Sequence, residues 1–220
     1  MDIQFLLHTP LFLGAAPEEL PRLLAAMEAA ERCFPKGDVI LQAGAHTSRL
    51  YLVLSGGVTV ENHDAWGNRT ILGHVAPGEV FAETYACLPH QPMMVSAVAS
   101  QETELLSLNA AALLKHSSRQ RDLILTNLLR ITAQKNLALS RRSFYTSSKT
   151  IRGRLMSYLS DQAVLQGSLT FSIPFDRQQL ADYLGVDRSA LSNELSKLRR
   201  EGLLTTRKNQ FSLLTRNDLS

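Results

Sequence analysis

The sequence predicts an α+β protein in three successive parts: a β jelly-roll barrel, one long helix, and a winged helix-turn-helix. Three observations predict it. From Phe34 to Leu108, short β-rich runs are separated by glycine, the texture of a small sandwich or barrel. A broad apolar stripe then repeats at helical spacing to about Phe144. Two capped helical segments joined by a turn glycine follow between Phe175 and Leu204. The corresponding boundaries are 1–108, 109–145 and 146–220.

In chain order, residues 17–31 predict a short amphipathic helix. Strands are expected at Asp38–Leu41, Leu50–Leu54, Val58–Glu61, Thr70–His74, Val95–Val98 and Glu104–Leu108, with a hairpin turn at Asp64–Asn68. Asn109 suits an N-cap for a short helix through His116. Ser117-Ser118 opens the long helix, in which Ile124, Leu128, Ile131 and Ala138 form one stripe that Leu125, Leu129 and Leu139 widen. A stripe that broad can face both the barrel and a partner helix, so Ile124, Leu128 and Ile131 are expected at a dimer interface. Thr146–Ser148 reads as a hinge, Ile151–Val164 as a helix and Gly167–Ile173 as a strand.

Composition sets the outer limits. At 220 residues, the chain is long enough for two domains; 45% hydrophobic and 20% charged residues are ordinary for a globular protein. No apolar run reaches the ~18 residues of a membrane span, and Met1–Leu13 has no basic start of a signal peptide. Cys33 and Cys87 have no metal-ligand spacing, so a cytoplasmic protein is expected. Charge is segregated. Residues 1–108 hold 5 Lys/Arg against 12 Asp/Glu, residues 109–145 hold 7 against 1, and residues 146–220 hold 11 against 7. A basic C-terminal half points to a polyanionic partner, because phosphate neutralisation drives nucleic-acid affinity.

The helix-turn-helix carries the most information. Asp176 caps the first helix and Gln179 completes a capping box. Gly185 supplies a left-handed turn residue, and Asp187 caps the second helix. There Leu191, Leu195 and Leu198 share one face, while Ser189, Asn193, Ser196, Lys197 and Arg200 share the other. One apolar side and one side of hydrogen-bonding groups suit the DNA major groove. A hairpin around Arg207 and Lys208 would set two more cations near phosphates.

These features resemble the CRP/FNR family of transcription factors over nearly the whole chain. Tyr51–Val60 is similar to the family's barrel hairpin, and Pro77–Glu83 to the entrance of its phosphate cassette. The resemblance implies a cyclic-nucleotide-binding-like sensor barrel and a homodimer that recruits or blocks RNA polymerase at near-palindromic double-stranded DNA. It also implies base reading by Arg188, Ser189 and Asn193, and backbone contact by Arg177 and Gln178. The family usually has Glu at Ser189 and Arg at Asn193, so the half-site is not carried over.

For the sensor, the resemblance implies an effector pocket near Glu83, Met93 and Met94. Cyclic-nucleotide binders use an Arg-Ser or Arg-Thr pair where Met93 and Met94 stand, and thioethers cannot grip a phosphate. Cyclic AMP is therefore not expected. An iron-sulfur cluster would need an N-terminal cysteine cluster, which the sequence lacks. Haem stays open, with His8, His46, His63, His74, His90 and His116 scattered singly. The effector is left as an unknown small molecule or redox signal. A cupin-type metalloenzyme would pair histidines as H-x-H, which does not occur here. A ligand-free DNA binder is the remaining alternative.

Overall fold

The computed structural model describes residues 2–63, 69–88, 90–113 and 119–214. The turn expected at 64–68, Ser117-Ser118 and His116 lie outside them. The chain forms two compact units, Met1–Gln134 and Lys135–Ser220.

The first unit opens with α1 (Ile3–Leu7), whose cap Asp2 accepts from the backbone of Gln4 and Phe5, and α2 (Leu20–Ala26). Eight strands follow: β1 (Ala30–Phe34), β2 (Val39–Leu41), β3 (Arg49–Ser55), β4 (Val58–His63), β5 (Arg69–Val75), β6 (Val80–Phe81), β7 (Ser96–Ala99) and β8 (Thr103–Asn109). Between β6 and β7 lies α3 (Glu83–Cys87), and α4 (Ala110–Leu113) follows β8. The strands form two antiparallel sheets, ordered β1-β8-β3-β6 and β2-β7-β4-β5.

Residues 17–31 were expected as one helix, but only Leu20–Ala26 is helical. Glu28 turns at a φ of 50°, and Ala30 to Phe34 pair with Ser107 to Thr103 of β8. Alanine and glutamate favour helix locally, and long-range pairing overrides that preference.

Period-two alternation sorts the apolar run in β3. Leu50 and Leu52 join Leu106 and Leu108 beneath the helices, with Leu6, Leu11, Leu24, Ile124 and Leu128. Tyr51 and Val53 point the other way, toward Phe81, Val58, Ala97 and Leu105. Tyr51 stacks on Phe81 with centroids 5.3 Å apart. Both faces of β3 are thus covered, which is why its central run Leu50–Leu54 is continuously apolar. After β3 the chain reverses through Gly56, at φ 83°, where a Cβ would come within 2.3 Å of the Glu102 carbonyl oxygen. No other residue fits there.

The long helix is α5 (Arg119–Thr146). Its first half belongs to the first unit, where buried Asn127 donates from Nδ2 to the carbonyls of Leu11 (3.0 Å) and Leu13 (2.9 Å). Its end belongs to the second unit, with α6 (Ile151–Gln166), β9 (Thr170–Ser172), α7 (Arg177–Leu184), α8 (Arg188–Arg200), β10 (Leu204–Arg207) and β11 (Gln210–Leu213). The sheet order there is β10-β11-β9. Leu155, Leu159, Phe171, Leu180, Leu191 and Phe211 are among the residues of this second core. No helix among the described residues is long and apolar enough to cross a membrane.

Candidate nucleic-acid interface

Local chemistry sets the two motif helices. The Asp176 carboxylate accepts from the Gln179 backbone N–H at 2.8 Å, and the Gln179 side chain accepts from that of Asp176 at 2.9 Å. Gly185 closes α7 at φ 63°. The Asp187 carboxylate accepts from the Ala190 backbone N–H at 2.9 Å and starts α8. Each device satisfies a backbone group that the helix end would leave orphaned.

Two arginines fasten this motif to its surroundings. Arg154 on α6 donates to the carbonyls of Leu184 (3.1 Å) and Gly185 (2.9 Å), so it meets the carbonyl end of α7. Arg142, near the end of α5, donates to the carbonyls of Tyr183 (3.0 Å) and Asp182 (3.1 Å) and lies over the Tyr183 ring. Tyr145, Tyr158, Tyr183 and Phe175 form the aromatic packing below, and the Tyr145 hydroxyl donates to Asp161.

Arg152 holds α8 against α6. It donates to Glu194 at 2.6 Å and, bidentately, to Glu201 at 2.8 and 2.7 Å. The hydrogen bonds from Arg152 keep the Glu201 carboxyl below the usual carboxylate range. A carboxyl depressed in the folded state stabilises the fold above its unfolded pKa, and that contribution fades as pH falls through the folded value. The stability gap between the parent and Arg152→Leu should therefore be constant near neutrality and shrink below about pH 4.5. Thermal melts taken from about pH 7 to about pH 3 test this; a gap that stays constant throughout would show that the ion pair contributes nothing.

The outward face of α8 is open. Leu191, Leu195 and Leu198 are buried, whereas Arg188, Ser189, Asn193, Ser196 and Lys197 are exposed. The side chains of Arg188 and Asn193 make no hydrogen bond or ion pair with any described residue. Ser189 donates its hydroxyl to the Asp187 carboxylate at 2.5 Å, and Lys197 stands 3.8 Å from Glu194. Beside α8, the wing turns through Lys208, at φ 53°, with Arg207 and Lys208 both exposed. A groove of about 590 Å³ runs from Phe175–Gln178 past Arg188 to Lys208 and Asn209. Gln178 is exposed and donates to Asp182 at 2.8 Å. Arg177 is only half-exposed: it donates to Thr206 Oγ1 at 2.7 Å and lies 5.0 Å over the Phe211 ring. Desolvation lowers its guanidinium pKa, with neighbouring Arg199 adding to the effect. Arg177 thus ties α7 to the wing, an engagement the sequence did not suggest.

The three residues expected at a dimer interface lie in the core of the first unit. Ile124, Leu128 and Ile131 are buried within their own unit, against Leu6, Leu11, Phe12 and Leu24. Chain from far upstream packs on that side of α5. The large apolar side chains left exposed on α5 are Leu129, Leu137, Leu139 and Phe144.

The three residues expected at an effector pocket differ in exposure. Glu83 and Met93 are buried, but Met94 is 74% exposed. The backbone explains the split: Met93 exchanges hydrogen bonds with Gly44 and Ala45, while the Met94 N–H donates to the Tyr85 hydroxyl at 3.2 Å. Glu61, Thr59 and Ser96 are buried polar residues of the second sheet that the sequence reading did not single out. At Cys87, partial burial and the Glu83 carboxylate push the thiol pKa up, which disfavours the thiolate a redox switch requires.

The sequence matches a cyclic nucleotide-binding domain over residues 31–119 and a Crp-like helix-turn-helix domain over residues 153–220. It is 26% identical to the nitrogen fixation regulation protein FixK of Rhizobium meliloti, covering 89% of this chain and 84% of that protein. It resembles the crystal structure of the Thermus thermophilus catabolite activator protein at 30% identity, with a TM-score of 0.53 and 94% of each chain covered. The c-di-GMP-responsive regulator CLP of Xanthomonas campestris shares the fold at 21% identity and a TM-score of 0.60 over 91% of this chain and 100% of that one.

Proposed function

The chain belongs to the CRP/FNR family of transcription regulators, and we propose that it acts as a homodimer reading a near-palindromic DNA site with one α8 per half-site. The observation that carries this reading is the outward face of α8, where Arg188, Ser189 and Asn193 stand exposed over the buried leucines. Lys197 on the same helix and Arg207 and Lys208 on the wing supply phosphate contacts, with Gln178 at the start of α7. Arg177 reaches the backbone only from its anchorage on the wing. The functional division is a sensor over 1–108, a dimerising helix over 109–145 and the DNA-binding part over 146–220. The exposed side of α5, with Leu129 and Leu137, forms the seam between copies. A DNA-bound dimer of this kind acts on RNA polymerase, in the cytoplasm.

The test is footprinting on a site selected from random duplex DNA. Two protected half-sites should appear, about 34 Å apart on successive major grooves, for one pair of chains. A single protected half-site occupied by one chain would refute the dimer.

The effector is a small molecule other than a cyclic nucleotide. A phosphate losing its hydration must be met by charged or backbone donors, or burial costs many kcal/mol. The Met93 and Met94 side chains supply no donor, their backbone N–H groups are already engaged by Ala45 and Tyr85, and Met94 faces outward. Calorimetry should give no heat of binding with cyclic AMP or cyclic GMP, and DNA affinity should ignore both. Micromolar binding that raises DNA affinity would overturn this reading.

A further inference from the structure

At the start of α8, the Ser189 hydroxyl is 2.5 Å from Asp187 Oδ1, the same oxygen that caps the helix by accepting from the Ala190 backbone N–H at 2.9 Å. A hydroxyl has one proton and two acceptor sites. Bonded to a carboxylate, its proton is committed in a short, charge-assisted hydrogen bond. Both Asp187 and Ser189 are exposed. What the helix tip turns outward is therefore an oxygen that can only accept, next to a second oxygen that carries negative charge. The Asp187 carboxyl pKa is lowered, with the Ser189 hydrogen bond as the largest cause, so the carboxylate stays ionised at neutral pH.

Resting on the reading of α8 as the helix that enters the major groove, we propose that Ser189, held by Asp187, selects a base that offers a hydrogen-bond donor. On the strand it faces, that base is cytosine through N4–H₂ or adenine through N6–H₂. Guanine offers only O6 and N7 there, and thymine offers O4, so either would set acceptor against acceptor beside a carboxylate. A free serine hydroxyl would not discriminate, because its proton could turn to either kind of edge. Asp187 is thus a positioning residue: it fixes the polarity of Ser189 without touching the base.

The experiment starts from a site selected out of a random duplex pool, then measures binding of the full chain to duplexes carrying each of the four base pairs at every half-site position. Ser189→Ala should flatten one position by about five- to tenfold, the worth of a single hydrogen bond, and that position should favour cytosine or adenine on one strand. Asp187→Gly keeps an N-cap that helices tolerate and frees the hydroxyl. It should raise guanine and thymine at that same position relative to cytosine and adenine, while overall affinity shifts equally at all positions. Arg188→Ala and Asn193→Ala serve as controls, each flattening a position of its own. If the controls behave so and Ser189→Ala flattens nothing, or flattens a position that favoured guanine or thymine, the proposal is wrong and the reading of α8 survives. If no variant flattens any position, the reading of α8 fails as well.

Discussion

A glutamate at Leu128 should strongly destabilise the first unit, whereas the same residue one position later, at Leu129, should separate the dimer and leave the fold intact. Leu128 is buried among Leu11, Phe12 and Leu24, with 6% of its surface exposed, while Leu129 is 68% exposed. At position 128, a leucine's packing is lost, at about 2–5 kcal/mol. An ionised carboxylate without a partner adds several kcal/mol more. With roughly 2–4 °C lost per kcal/mol in a protein of this size, the melting temperature should fall by at least about 10 °C. At position 129, the monomer loses little, because the side chain already faces solvent. In a parallel pair, though, two glutamates would meet across the seam. The Leu129→Glu protein should elute as a folded monomer in size-exclusion chromatography with light scattering, and bind half-sites but not palindromes. A Leu129→Glu protein that remained dimeric would move the seam off this face of α5. A well-folded, monomeric Leu128→Glu protein would return the seam to the buried stripe.

The contrast between these neighbouring leucines shows what the sequence could and could not disclose. The apolar band of α5 is legible in its spacing, but the spacing is the same whichever side is covered. What decides it is contact with Leu6, Leu11 and Phe12, together with the Asn127 hydrogen bonds to Leu11 and Leu13, all more than 100 residues away in the chain. Met93 and Met94 present the same difficulty, since they lie in an irregular segment before β7, where no periodicity says which of two neighbours turns inward. Strand β1 was missed because its only signal is its pairing with β8; its own residues Ala30–Phe34 are largely exposed and carry Glu31 and Arg32. The motif helices were legible for the opposite reason. Capping box, turn glycine and second cap are all settled within three or four residues, and Asp176, Gln179, Gly185 and Asp187 take up those roles. Local rules also foretold which side of α8 is apolar, because α8 is short and packs on one core. They could not foretell that the proton of Ser189 is committed to Asp187, or that Arg177 turns to Thr206 and Phe211.

The second large effect belongs to that exposed face. Arg188→Ala and Asn193→Ala should each weaken binding to the selected site by about 1–3 kcal/mol, roughly five- to 150-fold, and leave binding to random DNA unchanged. The physical basis is that both side chains are exposed and make no hydrogen bond or ion pair with any described residue. Arginine can bond guanine O6 and N7 together, and asparagine can bond adenine N6 and N7 together. Truncation removes both bonds of the pair and leaves base edges without partners in a site that has shed water. Neither residue is part of the core formed by Leu191, Leu195 and Leu198, so the melting temperature should hold. Lys208→Ala supplies the contrast, since an ammonium on the wing serves phosphates, which every sequence has. It should weaken selected and random DNA alike and reduce the slope of log affinity against log salt by about 1. Titrations of all three variants on both DNAs over a range of salt separate the cases. Uniform losses on both DNAs for Arg188→Ala and Asn193→Ala, with a reduced salt slope for the arginine variant alone, would mean that α8 grips the backbone and that sequence is read elsewhere.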